Sequence, residues 1–125
     1  MANPTIVAID DEAEFTKTIE QFFSVRGYDV HVALTGTSGL ELVNQYKPDV
    51  VLVDFKLPGM DGDEVLSHIR QTHPKTKVIV ITAYNDGGKT RDRLLGLGAF
   101  AHFDKPVSSL RDLSGAIKKA LAERG

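Results

Sequence analysis

The sequence predicts one α/β domain: a single open sheet of five parallel strands with helices on both faces. Three observations predict it. Five short apolar runs recur along the chain; each is separated from the next by a stretch with helical spacing; and no hairpin dipeptide joins any two runs. Parallel strands cannot be linked by tight turns, so strict alternation implies right-handed helical crossovers that place helices on both sides of the sheet.

The first run, TIVAID at 5–10, is a strand. Phe15, Ile19, Phe22 and Phe23 then recur at i, i+4, i+7 and i+8, the buried stripe of a helix that ends near Gly27. YDVHVAL at 28–34 alternates, with Val30, Val32 and Leu34 on one side, as a half-covered edge strand does. A second helix over 37–46 uses Leu40, Val43 and Tyr46 and stops before Lys47-Pro48. DVVLVDF at 49–55 and KVIVIT at 77–82 are continuous β-branched runs, covered on both faces and therefore central. Between them, a helix over 61–72 buries Val65, Leu66 and Ile69. The stretch 86–96 is the least stable helix, because adjacent Gly87 and Gly88 precede a charged segment with only Leu94, Leu95 and Leu97 to bury. AFAHF at 99–103 is the other edge strand. The last helix begins after Pro106, is capped by Ser108 or Ser109, and buries Leu110, Leu113, Ile117 and Leu121.

Composition fits this design. With 125 residues, 42% of them apolar, the chain can bury one core, and 1–125 is expected to be one domain without repeats or linkers. Fifteen basic against 17 acidic residues, a net charge of −2, argue against general nucleic-acid binding. The absence of cysteine excludes disulfides, thiolate zinc sites and a cysteine nucleophile. The N-terminal residues turn acidic too early for a secretory signal, and no apolar run approaches the ~20 residues of a membrane span. A cytoplasmic location is the resulting expectation.

The polar residues that end the apolar runs carry the chemistry. Asp10-Asp11, Asp54, Thr82 and Lys105 all close strands, and ligands of an open parallel sheet bind outside the strands' carboxyl ends. Any one of them could merely terminate a strand; four ends bearing acid, acid, hydroxyl and ammonium point to one cleft. Carboxylates gathered there repel one another by about 4 kcal/mol per pair of charges 4 Å apart near a protein surface. A cation answers that repulsion, and an open set of oxygen ligands suits Mg2+. With the metal in place, a carboxylate can act as nucleophile on phosphorus. Asp54, after a central strand, is the candidate nucleophile, and the adjacent Asp10 and Asp11 are placed to share the metal. Thr82 can offer its hydroxyl and Lys105 its charge to phosphoryl oxygens.

VAIDDE at 7–12, VLVDFKLPGMDG at 51–62, VIVITAYND at 78–86 and GAFAHFDKP at 98–106 together resemble the receiver domain of bacterial two-component response regulators, over essentially the whole chain. The resemblance implies a doubly wound, flavodoxin-like sheet of order 2-1-3-4-5. It also implies that Asp54 is the phosphoacceptor, that Asp10 and Asp11 bind Mg2+ with Asp54 and the backbone carbonyl of Lys56, and that Thr82 and Lys105 read the phosphoryl group. The family's Lys-Pro bond is usually cis, which extends to Lys105-Pro106.

One departure stands out. Three residues before the lysine the family generally carries Tyr or Phe as a rotameric switch, whereas this chain has His102. His102 is either an edge-strand side chain without special role or a switch whose protonation makes the partner surface pH-sensitive. The resemblance also marks two positions that tune the family's chemistry, the second after the phosphoacceptor and the second after the threonine; here they are Lys56 and Tyr84, both large enough to crowd the phosphoryl group, so slow autodephosphorylation is the expectation. GKT at 88–90 follows a strand, but the P-loop pattern requires glycine at position 83, which is Ala83. His31, His68 and His73 lack metal-ligand spacing. Glu12 suits the helix dipole, with a share of the metal's outer shell as the alternative.

The leading reading is thus a phosphorelay receiver and not an enzyme acting on an outside substrate, one that catalyses its own phosphorylation and dephosphorylation. Its implied partners are a sensor histidine kinase or histidine phosphotransfer protein, and an effector or output domain docking on about 86–124; a phosphorylation-dependent homodimer also fits. No nucleic-acid or membrane contact is expected. The rivals are a haloacid-dehalogenase-like phosphatase, which would carry Asp-x-Asp on the first strand, and a receiver that binds partners without being phosphorylated. Whether the chain acts alone or with an output domain stays open at this level.

Overall fold

A computed structural model describes residues 3–83, 86–105 and 109–123. The elements alternate in chain order: β1 (Thr5–Ile9), α1 (Ala13–Ser24), β2 (Asp29–Ala33), α2 (Gly36–Tyr46), β3 (Val50–Asp54), α3 (Gly62–Thr72), β4 (Lys77–Thr82), α4 (Lys89–Gly96), β5 (Ala101–Asp104) and α5 (Leu110–Ala122). All neighbouring strands pair in parallel, and the sheet has the order β2-β1-β3-β4-β5. This is the predicted doubly wound fold, with β2 and β5 at the edges.

Strand alternation divides the core into two layers. Val7 and Ile9, Val51 and Val53, and Val78 and Val80 face α2, α3 and α4, where Val43, Val65, Ile69 and Leu94 meet them. Ile6 and Ala8, Val50 and Leu52, and Ile79 and Ile81 face α1 and α5, where Ile19, Phe23, Leu113 and Ile117 meet them. Every residue of β3 is buried, as its unbroken apolar run requires. Each fully buried Ile, Leu or Phe contributes about 1.5–3 kcal/mol, so these two layers dominate the stability.

Helix ends follow their sequence signals. Thr35 caps α2 by accepting from the Ser38 amide at 3.1 Å, and Ser109 caps α5 by accepting from the Asp112 amide at 3.2 Å. The alternative cap Ser108 and the Lys105-Pro106 bond fall outside the described residues. α2 stops at left-handed Lys47 (φ 48°) just before Pro48. None of the described helices is long and apolar enough to cross a membrane.

Four expectations need correction. β2 ends at Ala33, which is buried, so Leu34 lies past the strand and is 45% exposed. Tyr46 leaves the core and stacks on His31 across the sheet edge, with ring centroids 3.7 Å apart at 12°. β5 begins at Ala101, two residues later than its apolar run suggested, and ends one residue later, at Asp104. α4 starts at Lys89, after Gly88 (φ 92°), and of its leucines only Leu94 is buried, while Leu95 and Leu97 are exposed. Its first turn is instead held by Asp86, whose carboxylate accepts from the Thr90 hydroxyl at 2.6 Å and the Thr90 amide at 3.0 Å.

Candidate functional site

Three strand ends build the site. β1 runs out at Ile9, and the next residue, Asp10, is tied to β2 by its amide donating to the Ala33 carbonyl at 3.0 Å. That fixes the Asp10 carboxylate at the carboxyl edge of the sheet, where it is only 2% exposed. Its Oδ1 accepts from the Glu12 amide at 2.9 Å. Asp54 is the last residue of β3 and is 7% exposed; its Oδ1 accepts a long hydrogen bond from the Lys56 amide at 3.4 Å. Lys105 follows β5, and its amide donates to the Thr82 carbonyl at 2.8 Å, locking the ends of β5 and β4 together.

The Lys105 ammonium fills the space between these ends. Its Nζ donates to Glu12 Oε1 at 2.6 Å and to Asp54 Oδ2 at 3.3 Å. It also lies 2.7 Å from Asp10 Oδ2. That last contact is an ion pair without hydrogen-bond alignment, so Asp10 Oδ2 is buried with no directed donor. The Phe15 ring, one turn into α1, sits 5.1 Å from the ammonium.

Three carboxylates facing one ammonium leave an excess of negative charge. Burial raises the pKa of Asp10, a shift that Lys105 only partly offsets. Burial and the neighbouring Asp10 charge raise that of Asp54 as well. Burial opposes the charge on Lys105, but contacts with Asp10 and Glu12 and the field of Asp54 more than offset it, and its pKa is raised.

Of the expected residues, the fold brings together Asp10, Asp54 and Lys105, and sets Thr82, 1% exposed, at the adjoining end of β4. Asp11 is exposed and stands outside the carboxylate group. That group is Asp10, Glu12 and Asp54, with oxygens within 4.8 Å of one another. Glu12 is thus the residue that sequence reasoning assigned elsewhere: it occupies the N-cap of α1, yet its side chain makes no capping bond and reaches Lys105 instead. The Lys56 side chain is exposed. Tyr84 lies outside the described residues. The His102 side chain is 9% exposed, with Nε2 3.8 Å from Asp104 Oδ1. It lines a cleft of about 650 Å3 with Arg70, Lys77, Phe100 and Lys119 that shares no residue with the carboxylate group.

Chemically, the cluster fits a hard divalent cation. Its donors are all oxygen, two carboxylates are nearly buried, and Asp10 Oδ2 lacks a directed donor, so Mg2+ suits it better than a soft metal.

The chain is similar to known proteins over most of its length. The family model described as the response regulator receiver domain matches residues 6–118. The chain is 35% identical over 123 residues to the sporulation initiation phosphotransferase F of Bacillus subtilis (strain 168), covering 97% of this chain and 96% of that protein. It is 34% identical over 116 residues to the regulatory protein AtoC of Escherichia coli (strain K12), a match that spans 25% of the latter. Among solved structures, a CheY-like response regulator receiver domain protein from Methanospirillum hungatei JF-1 superposes with a TM-score of 0.91 at 32% identity, covering 98% of this chain and 96% of that one.

Proposed function

This chain belongs to the response regulator receiver domain family, and from that premise we propose that it is a phosphorelay module whose phosphoacceptor is Asp54. The observation that carries the reading is the meeting of Asp10, Asp54 and Lys105 from three strand ends, at 2.7 and 3.3 Å from a single ammonium.

In the proposed step an Asp54 carboxylate oxygen attacks the phosphorus of a phosphohistidine or a small phosphodonor. An O–P bond forms, the donor's P–N or P–O bond breaks, and the electron pair leaves with the donor's nitrogen or oxygen. Lys105 is placed to meet one phosphoryl oxygen and the Thr82 hydroxyl another, so the chain's work is positioning and charge neutralisation. Asp10 and Asp54, with Asp11 and the Lys56 carbonyl as the family resemblance implies, would hold Mg2+. When bound, the ion supplies neutralisation of the carboxylates and the phosphoryl group.

Phosphorylation adds about two negative charges at the strand ends. Attraction of Thr82 and Lys105 toward that charge biases the loop after β4 and the weakly anchored α4, which changes the partner surface over about 86–124. On this reading the chain is a signalling phosphoacceptor that acts in the cytoplasm, receives its phosphoryl group from a histidine kinase or histidine phosphotransfer protein, and engages an effector, an output domain or a second copy. Incubation with Mg2+ and a small acyl phosphate tests it: one phosphoryl group per chain, lost in Asp54→Ala, supports the receiver. Rapid continuous turnover would favour a phosphatase, and absence of label a non-phosphorylated binding module.

A further inference from the structure

Lys105 already has more partners than it can keep when a phosphoryl group arrives. The ammonium sits among three carboxylates, hydrogen-bonded to Glu12 Oε1 at 2.6 Å and Asp54 Oδ2 at 3.3 Å and ion-paired with Asp10 Oδ2 at 2.7 Å. A phosphoryl oxygen on Asp54 is a fourth claimant, and one contact has to yield. The side chains of Asp10 and Asp54 are 3% and 8% exposed and fixed at strand ends, so neither can withdraw without disturbing the sheet. The Glu12 side chain is 64% exposed. It sits at the N-cap of α1 without making a cap bond, so it can swing to water while its backbone stays in place. An ion pair with an exposed partner is also the weakest of the three. Phe15, on the first turn of the same helix, lies 5.1 Å from the ammonium, so α1 holds Lys105 through both a carboxylate and a ring face.

We propose that Glu12 is a positioning residue for Lys105: a removable counter-ion that holds the ammonium toward α1 in the unphosphorylated state and gives it up to the phosphoryl group. This rests on Asp54 being the phosphoacceptor. The competition lowers the affinity of the site for a phosphoryl group, because each phosphorylation event has to break the Glu12 contact. Glu12 also repels the incoming dianion, and swinging to water relieves both effects.

The test compares wild type, Glu12→Gln, Glu12→Asp and Asp54→Ala, with fluoroberyllate as a phosphoryl mimic at saturating Mg2+, and Mg2+ affinity measured separately for each. NMR follows the Lys105 ammonium without the mimic and the backbone amides during titration. Glu12→Gln is expected to speed exchange of the Lys105 ammonium protons and to tighten fluoroberyllate binding about two- to fivefold, the scale of an ion pair with one exposed partner. Glu12→Asp keeps the charge but withdraws it by one methylene, and is expected to speed ammonium exchange as Glu12→Gln does and to tighten fluoroberyllate binding by less, because the repulsion remains. Equal fluoroberyllate affinity in wild type and Glu12→Gln overturns the proposal. So does Glu12→Asp matching wild type while Gln tightens, because charge alone would then suffice, and so does unchanged ammonium exchange. If wild type fails to bind the mimic, or Asp54→Ala binds it equally well, the phosphoacceptor reading itself fails and the proposal falls with it.

Discussion

Gly62 packs directly against the backbone of Asp54. A Cβ at position 62 would lie 2.7 Å from the Asp54 carbonyl oxygen and 2.8 Å from the Phe55 Cα, and the Gly62 amide donates to the Phe55 carbonyl at 2.6 Å. The start of α3 is therefore pressed onto the strand end that carries the candidate nucleophile, and backbone on both sides leaves nothing flexible to give way.

Gly62→Ala is expected to destabilise the fold by about 1–3 kcal/mol, the range for overpacking, and to slow phosphorylation by displacing Asp54. Gly115, inside α5 with nothing within 4 Å of its would-be Cβ, is the contrasting site. Gly115→Ala should stabilise by about 0.5–1 kcal/mol through helix propensity alone. Urea unfolding of both variants checks the opposite signs.

The carboxylate excess predicts a pH-dependent gain from neutralising Asp54. Burial and Asp10 raise its pKa in the fold above the ordinary 3.8. A raised acid prefers its proton in the folded state, so its ionisation weakens the fold as pH rises above the unfolded value. Asp54→Asn should thus raise the Tm of the metal-free protein by a few degrees at neutral pH, and the gain should vanish below about pH 4. Thermal melts in chelator across that range measure it.

Lys105 predicts the reverse sign. Its pKa is raised above 10.5, so its stabilisation is complete below that value and is lost only as strong alkali removes the proton. Lys105→Met should destabilise the metal-free protein at neutral pH. The same change removes an ammonium from among three carboxylates, so Mg2+ should bind about five- to fiftyfold tighter by simple Coulomb reasoning. Calorimetric titration with Mg2+ decides it; weaker binding would contradict the charge account.

Much of this was legible in the chain because the signals are local. Unbroken β-branched runs marked β3 and β4 as central, and strand-ending Asp10, Asp54, Thr82 and Lys105 marked the site. The misreadings came from side-chain choices that no local pattern encodes. Tyr46 had helical spacing for the core but found a ring, His31, at the sheet edge. Glu12 read as a helix-dipole residue, because its partner Lys105 is 93 positions away and only the assembled sheet brings them to 2.6 Å. Its place directly after the acidic pair was the one available signal. The contact of Gly62 with Asp54 was equally hidden, since a glycine after Asp61 looks like a helix start.

α4 is anchored by one buried leucine, Leu94, and by the Asp86–Thr90 contacts at its first turn. Its amides are expected to exchange hydrogen fastest among the helices, and those of β3 and β4 slowest. Asp86→Ala should accelerate exchange over residues 89–96 selectively; a uniform increase along the chain would show that the contact supports global stability instead.

The most direct test of the central claim is chemical mapping of the acyl phosphate. After reaction with Mg2+ and a small acyl phosphate, borohydride reduces an aspartyl phosphate to homoserine, which peptide mass spectrometry locates. Homoserine at position 54, at up to one per chain and absent from the Asp54→Ala variant, is the predicted result. Homoserine at Asp10 or Asp11, or none anywhere while phosphate is released, would contradict it.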